Sequence, residues 1–567
     1  MNILGVYPRW GHDTCAALVK DGKLVAAVEE ERYTRRKHSR EAPINSIKYC
    51  LSESGITMEE VDYIAVPWHP RLLLNYCVTH KWTVRYYFLF ILNTAFGLAG
   101  PEFRKSERKF RKKRSLPQQG YYDFFLKEAL GSYSSLPEIR YYEHHHAHAA
   151  TAFYCSGWKN ASIITVDGAG EGNATVSWLG SGNSIAKIHE EPRSRSLGTL
   201  YDSVTRYLNL GPWAEGKTMG LAPYGKPDKE FSEKLYALVD PRKGRWFDGN
   251  TQRELSERLI GFSRRPMDIP VTGPPYANLA YAVQKLLEEA MRKIGREVVS
   301  SSGENKICLA GGVALNCTSN SVLLNSDFVE DVFVFPGAND GGTAVGAALA
   351  CAAEVDENVS FRLEHAYWGP GFSDSQIEQI LGETRIRFEE CGDASGSAAE
   401  AIAEGKIIGW FQGRMELGPR ALGNRSILAD PTNVDAWEGV NELKLREKWR
   451  PLAPSLLFEA KDEYLENARE SPFMTLAFQV RPEKRREIPA VVHIDGSTRP
   501  QTVRREVNES YWKLIKSLEE INGTPVVLNT SFNVGPEPIV CSPQDALRTF
   551  FTSSLDELYL GSFVIRK

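Results

Sequence analysis

Four of the eleven histidines crowd into Glu143-His144-His145-His146-Ala147-His148-Ala149-Ala150. His144 and His148 are spaced i, i+4. On a helix that spacing leaves the two side chains about 40° apart around the axis, on one face. Two imidazoles so placed can grip one divalent cation and leave positions for oxygen ligands from elsewhere. Taken alone, a His-x-x-x-His pair also fits a histidine-rich surface turn. The balance shifts with the carboxylates at the ends of apolar runs. Ala161 to Val166 is a β-branched run that ends in Asp167-Gly168-Ala169-Gly170. Val332 to Phe335 is another, followed by Pro336-Gly337-Ala338-Asn339-Asp340-Gly341-Gly342. A carboxylate at the carboxyl end of a buried strand, followed by glycines, suits holding a metal or placing water near phosphates. An ordinary Asp-Gly hairpin turn accounts equally well for Asp167-Gly168 alone. Asp340 is the candidate oxygen ligand beside His144 and His148. Two imidazoles with one or two carboxylates suit Fe(II), Mn(II) or Zn(II).

Other stretches carry chemistry for anions. Lys306 to Ala310 reads as a strand running into Gly311-Gly312-Val313-Ala314-Leu315-Asn316, an arrangement that turns backbone N–H groups and a helix start toward phosphate. In Glu215-Gly216-Lys217-Thr218-Met219-Gly220, the glycines let backbone approach a ligand, and Lys217 is placed to neutralise phosphate. Arg414, Arg420 and Arg425 sit among glycines, and guanidinium pairs bidentately with phosphate or carboxylate. Lys444, Arg446, Lys448 and Arg450 follow, then His493 to Arg499, then an apolar strand ending in Asn529-Thr530-Ser531-Phe532-Asn533. Any one of these clusters alone fits a solvated surface, but their succession within about 200 residues argues for convergence on one anion. Glu29-Glu30-Glu31-Arg32 reads as a solvated charged loop. Arg35-Arg36-Lys37-His38 is placed to approach an anionic substrate.

These residues need elements to position them. At 567 residues the chain is too long for one core. It opens with a short apolar strand, Asn2 to Tyr7, and a polar turn, Gly11-His12-Asp13-Thr14. A second strand, Cys15 to Lys20, meets an Asp21-Gly22 hairpin turn and a returning strand. Nucleotide-binding domains of the actin/sugar-kinase type begin this way, with the first turn facing phosphate. Ile44 to Ser54 and Leu279 to Val299 read as helices by apolar spacing. Residues 70–135 are aromatic and basic; they read as a solvated helical insertion and a candidate lid, with RNA binding as the alternative. A Gly/Pro break at Tyr367-Trp368-Gly369-Pro370-Gly371 divides the chain into 1–367 and 368–567. No internal repeat is evident. Hydrophobic content of 42%, charged content of 25% and net charge −4 with interspersed signs predict a soluble protein that takes neither nucleic acid nor membrane. Nine cysteines without a Cys-x-x-Cys pair fit a reducing cytoplasm, and the N-terminus lacks the marks of a signal peptide.

Together, Gly11-His12-Asp13, Glu143-His144-His145 with His148, Glu215 to Pro223, Gly311 to Asn316, Arg414 to Ser426 and Asn529 to Asn533 resemble the O-carbamoyltransferases of antibiotic and nodulation-factor biosynthesis. That resemblance implies an α/β protein. Its N-terminal domain is actin-like (of the ASKHA group) and similar to the enzyme that transfers threonylcarbamoyl to tRNA. Its C-terminal domain is a YrdC-like, carbamoyl-adenylate-forming α/β domain. It implies that carbamoyl phosphate and ATP, with Mg, give carbamoyl adenylate near Arg420, Lys444, Arg446, Arg450, Arg499, Ser531 and Asn533. Lys217, Gly311, Gly312 and Asn316 would face the nucleotide. A ferrous ion on His144, His148, Asp167 and Asp340 would then serve transfer to a hydroxyl of a small molecule, with His12 as base, or Asp13 instead. A monomer or homodimer is expected. A tRNA threonylcarbamoyl transferase lacks the extra C-terminal domain. A hydrogenase-maturation carbamoyl enzyme carries zinc-finger cysteines and the reverse domain order. A non-catalytic actin-like nucleotide switch is the third rival.

Overall fold

The computed structural model describes residues 1–8, 12–69, 72, 126–127, 133, 135–238, 265–355 and 358–567. Nearly all of the expected insertion and lid, 70–135, lies outside the described residues. The first apolar runs become largely buried strands, β1 (Asn2–Tyr7), β2 (Cys15–Lys20), β3 (Lys23–Glu29) and β4 (Tyr63–Val66), and a partly exposed strand follows, β5 (Glu138–Tyr141). Among the described residues they form one sheet in the order β3-β2-β1-β4-β5. β1 runs antiparallel to β2, with Tyr7 opposite Cys15, and parallel to β4, with Gly5 opposite Ala65.

A second sheet repeats the plan with β6 (Asn160–Val166), β7 (Asn173–Ser181), β8 (Ser184–Pro192), β9 (Lys306–Ala310) and β10 (Asp331–Val334). Its order is β10-β9-β6-β7-β8, with β6 antiparallel to β7 and parallel to β9. Each sheet has a central strand with an antiparallel hairpin on one side and two parallel strands on the other. This is the expected actin-like α/β architecture. It is also a duplication that the sequence conceals, because burial and period 2 can be met by unrelated apolar residues.

Two helices, His144–Ser156 and Thr343–Glu354, pack against each other. Six alanines and one glycine make up more than half of the twelve residues of the second, and the reason is distance. A Cβ on Gly346 would lie 1.8 Å from the Ala147 carbonyl oxygen, and one on Gly5 would lie 2.0 Å from that of Ala344. Only small residues permit this approach, and it fixes the Thr343–Glu354 helix closely between the histidine-bearing helix and β1.

The C-terminal part holds an eight-stranded mixed sheet among the described residues, centred on Ile408–Phe411, Arg425–Ala429 and Val526–Ser531. Arg425–Ala429 runs antiparallel to both neighbours. The residues read as a solvated acidic loop join this part to the first sheet. Glu29, Glu30, Glu31 and Arg32 are all buried. Glu30 accepts from the amides of Asn45 and Ser46 at the start of the Ile44–Glu53 helix. Glu29 accepts from the Gly418 amide at 2.9 Å, and Arg32 donates to the Gly418 carbonyl at 2.8 Å. Their partners lie far away in sequence, so local composition could not show that these charges are paired inside.

Candidate functional site

The candidate site is assembled from strand ends and one helix N-terminus. His144 and His148 rise one turn apart on the His144–Ser156 helix and face the ends of β6 and β10. His148 Nε2 lies 3.0 Å from Asp167 Oδ2, and His144 Nε2 lies 3.4 Å from Asp340 Oδ1. The two Nε2 atoms are 3.1 Å apart. One ligand atom from each of these four residues falls within 4.8 Å of every other. Ligands around one cation with bonds of about 2.1 Å stand about 3.0–3.4 Å from each other, so the spacing fits a single divalent ion. Two imidazole nitrogens converging on two carboxylates, all buried or nearly so, is a donor set that asks for a cation. Burial opposes charge on His144, but Asp340 and Asp167 outweigh it and hold the imidazole well above its usual range. The same histidines hold Asp167 and Asp340 low against the desolvation that would raise them.

Neighbouring groups fix these four side chains. Tyr7 at the end of β1 donates to Asp340 Oδ2 at 2.7 Å, the Gly168 amide donates to Asp167 Oδ1 at 2.6 Å, and Trp68 lies against His144 with ring centroids 4.8 Å apart. His145 belongs to the packing instead. Its Nδ1 meets Thr165 Oγ1 at 2.9 Å and its Nε2 meets the Asn173 carbonyl at 3.0 Å, and burial lowers it to about 3.

Glu171 was not singled out in the sequence. Its carboxylate accepts from the His144 amide, 3.1 Å from each oxygen, and from the His69 amide at 2.7 Å. An acidic side chain at a helix N-terminus is stabilising, yet burial dominates here and raises Glu171 to about 7. The sign follows. A carboxyl raised on folding is stabilising below its unfolded value near 4.5, and that stability is lost as pH climbs through about 7. Glu171→Gln keeps an acceptor without the buried charge. We expect it to unfold at higher urea than the unaltered protein at pH 8, by about 1–2 kcal/mol, with the gap closing at pH 5.5.

Beside the quartet stands the first polar turn. Asp13, with φ +62°, presents one oxygen to His12 Nδ1 at 2.9 Å and the other to His38 Nδ1 at 2.8 Å. Asn339 Nδ2 donates to the same carboxylate at 3.0 Å. One carboxylate thus orients two imidazoles. Burial would lower His12, but the Asp13 bond and the charges of Asp340 and Asp167 lift it to about 9.

The arginine loops converge elsewhere. Lys444 is buried, and its Nζ donates to the Asn533 carbonyl at 2.9 Å, to Asn533 Oδ1 at 3.1 Å and to the Ser531 carbonyl. Burial lowers it well below the usual lysine value, and Arg446, Lys37 and Arg450 lower it further. Burial and Arg499 draw Arg420 down to about 9; burial and Arg450 do the same to Arg446. The Nε of Arg499 is buried without an acceptor. Arg450 reaches Glu447 only at 3.9 Å. So many cations with so little carboxylate between them form a cradle for a polyanion.

Several expected residues stand in other positions. Lys217 is paired with Glu447 at 2.7 Å and ties the Glu215–Leu221 helix to the C-terminal part. A Cβ on Gly220 would meet Pro451 at 3.2 Å, so that glycine serves packing. Asn316 caps the Cys317–Leu324 helix through the Ser319 amide and exchanges hydrogen bonds with Gln284. Of the three loop arginines, Arg425 is buried against the carbonyls of Gln412 and Pro370, and Arg414 holds the carbonyls of Val25 and Trp368. Only Arg420 joins the cradle. Gly311, with φ +92°, lets the chain pass where a Cβ would lie 2.2 Å from the Val166 carbonyl, and Gly312 lies beside Asp167 Oδ1.

Two family models match the sequence. One, described as Carbamoyltransferase N-terminus, matches residues 2–349, and the other, Carbamoyltransferase C-terminus, matches 399–567. Nodulation protein NolNO of Sinorhizobium fredii is 38% identical over 570 residues, spanning 98% of this chain and 79% of the relative. Nodulation protein NolO of Bradyrhizobium diazoefficiens is 39% identical over 438 residues, spanning 75% of this chain and 78% of the relative. Among solved structures, HypF of T. kodakarensis aligns at 14% identity and a TM-score of 0.33, over 63% of this chain and 48% of that one.

Proposed function

The chain belongs to the carbamoyltransferase family, and from that premise we propose an ATP-dependent O-carbamoyltransferase that works through carbamoyl adenylate. Residues 368–567 act as the activating domain and 1–367 as the transfer domain. In the first step, water releases phosphate from carbamoyl phosphate and leaves carbamate. A carbamate oxygen then attacks the α-phosphorus of ATP, and pyrophosphate departs. Lys444, Arg420, Arg446, Arg450 and Arg499 neutralise the transferring groups, and Ser531 and Asn533 keep the Lys444 amine aimed. In the second step, the acceptor oxygen attacks the carbamoyl carbon, the bond from that carbon to the phosphate oxygen breaks, and AMP leaves. His12 takes the hydroxyl proton on Nε2, with Asp13 holding its other nitrogen.

The donors His144, His148, Asp167 and Asp340 suit Fe(II), with Mn(II) or Zn(II) as alternatives, and a cation held there supplies Lewis-acid charge beside the adenylate. The charges of Asp340 and Asp167, after the Asp13 bond, are part of what lifts His12, so a cation held by those carboxylates would shift His12 toward the neutral form that a base needs. Glu29, Arg32 and Gly418 join the first sheet to the C-terminal part through buried bonds, so both centres belong to one packed molecule, which suits handing on a labile adenylate.

The observation that carries this reading is the cation-rich cradle around Lys444, bonded into the same molecule as the His/Asp quartet. The test is isotope exchange between pyrophosphate and ATP. We expect exchange that requires carbamoyl phosphate. Its absence in purified protein with Mg and ATP rejects the adenylate and favours a nucleotide switch.

A further inference from the structure

The run Arg35-Arg36-Lys37-His38, expected to approach an anion, divides in the structure. Arg35 is spent on backbone of the C-terminal part. Its Nη1 donates to the Ile539 carbonyl at 2.7 Å and its Nη2 to the Pro538 carbonyl at 2.8 Å, with Asp545 at 3.4 Å. His38 turns the other way, with Nδ1 on Asp13 Oδ1 at 2.8 Å. Arg35, His38 and Asp13 all have left-handed backbone, at φ +59°, +54° and +62°. Trp213, itself at φ +56°, covers both imidazoles, with its ring centroid 3.9 Å from that of His12 and 5.2 Å from that of His38. Residues that carry a Cβ keep such backbone only where their surroundings hold them.

The holding bonds can be named. Arg35 closes the short Glu31–Thr34 helix with its amide on the Glu31 carbonyl. The Glu31 carboxylate accepts from the His38 amide at 2.7 Å. The Thr14 amide donates to the Ser39 carbonyl at 3.3 Å, and the Glu30 amide donates to the Thr14 carbonyl at 2.8 Å. On the far side stands Asn533, which accepts from Lys444. Its Nδ2 donates to the carbonyl of Glu537, the residue before Pro538, at 2.8 Å.

We propose that Arg35 is a positioning residue for the transfer step: anchored on Pro538 and Ile539, it holds His38 on one oxygen of Asp13 and so keeps the other oxygen on His12 Nδ1. This rests on the carbamoyl-transfer reading above for the task of His12. Arg35 touches no reacting atom, and its effect passes through His38 and Asp13. The base of the transfer domain is thus set from the activating domain, by the segment that follows the acceptor of Lys444. Arg414 ties the same two parts together, but at the Val25 and Trp368 carbonyls. Val25 stands near the start of β3, whereas the first turn meets the other end, where Cys15 pairs with Glu29.

NMR of the full chain labelled with 15N in histidine tests this at pH 7 and needs no acceptor. His12 and His38 each bond Asp13 through Nδ1, so each should give a downfield N–H signal protected from water, identified by its loss in His12→Gln or His38→Gln. Arg35→Ala should speed solvent exchange of both protons by about tenfold. Arg35→Lys, which reaches one carbonyl in place of two, should speed it by about threefold and carries the test if the alanine variant fails to fold. Arg414→Ala is the control and should leave both signals unchanged. Protected signals absent from the unaltered protein, signals indifferent to both Arg35 variants, or an equal change in Arg414→Ala overturn the positioning role. Pyrophosphate exchange separates it from the reading beneath. A protein that exchanges while its imidazole signals ignore Arg35 loses only the positioning role. A protein without exchange loses the carbamoyl reading, and a response of the signals to Arg35 still stands as the setting of His12. Exchange retained in Arg35→Ala shows a folded variant, whereas exchange lost in it alone assigns Arg35 to the cradle instead.

Discussion

Lys444→Met should abolish carbamoyl-phosphate-dependent pyrophosphate exchange, by about a thousandfold, and leave the melting temperature unchanged or higher. Charge at a preorganised donor is worth about 10²–10³ in rate when it faces the transferring group. Lys444 is buried with its amine among oxygens of Ser531 and Asn533, and burial first, then Arg446, Lys37 and Arg450, oppose its charge until an anion arrives. Methionine keeps the aliphatic stem and removes the repulsion. It also leaves the Asn533 carbonyl and Oδ1 without this donor, at a cost of about 1–3 kcal/mol that offsets the relief. Activity and stability therefore part company, which is the mark of a group placed for a ligand. Exchange within tenfold of the unaltered protein, or a melting point lowered enough to explain the loss, would remove Lys444 from the chemistry.

What could be read from the chain, and what could not, divides along a physical line. Asp167, Asp340, His144 and His148 were legible because local signals set them: an apolar run predicts a strand, its end predicts where the side chain stands, and helical spacing puts two histidines on one face. The arginines were legible only as a crowd. Which of Arg414, Arg420 and Arg425 faces a ligand depends on whether a distant carbonyl consumes the guanidinium, and those carbonyls belong to Val25, Pro370 and Gln412. Lys217 looked free for phosphate because Glu447 lies 230 residues away in sequence. Glu29 to Arg32 looked solvated for the same reason. Trp213 gave no signal, since nothing local says that a left-handed tryptophan will sit over His12. Asp13 showed its type and place, but its two-sided grip on His12 and His38 needs a turn and a second loop to meet.

His144→Ala should lose carbamoyl transfer by about a thousandfold while exchange survives, if the quartet and the arginine cradle serve the different steps proposed for them. His145→Ala is the control. It is as deeply buried on the same helix, but its nitrogens hold Thr165 and the Asn173 carbonyl, so it should cost about 1–3 kcal/mol of stability and keep its metal. Mass spectrometry of bound metal separates the two variants. The pH dependence supplies a second measure. In the metal-free protein, burial would lower His144, but Asp340 and Asp167 hold it well above 6.5. A raised imidazole is stabilising below its unfolded value near 6.5, and that stability is lost as pH rises through the folded one. A cation needs the neutral imidazole, so loading releases protons and grows tighter over the same interval. The gap in melting temperature between loaded and stripped protein should therefore widen from pH 6 to pH 9, and a chelator should strip the protein more readily at pH 6. A gap that is flat or narrows with pH, or exchange that dies with His144→Ala, would show that these four side chains do not form a separate, proton-coupled metal centre.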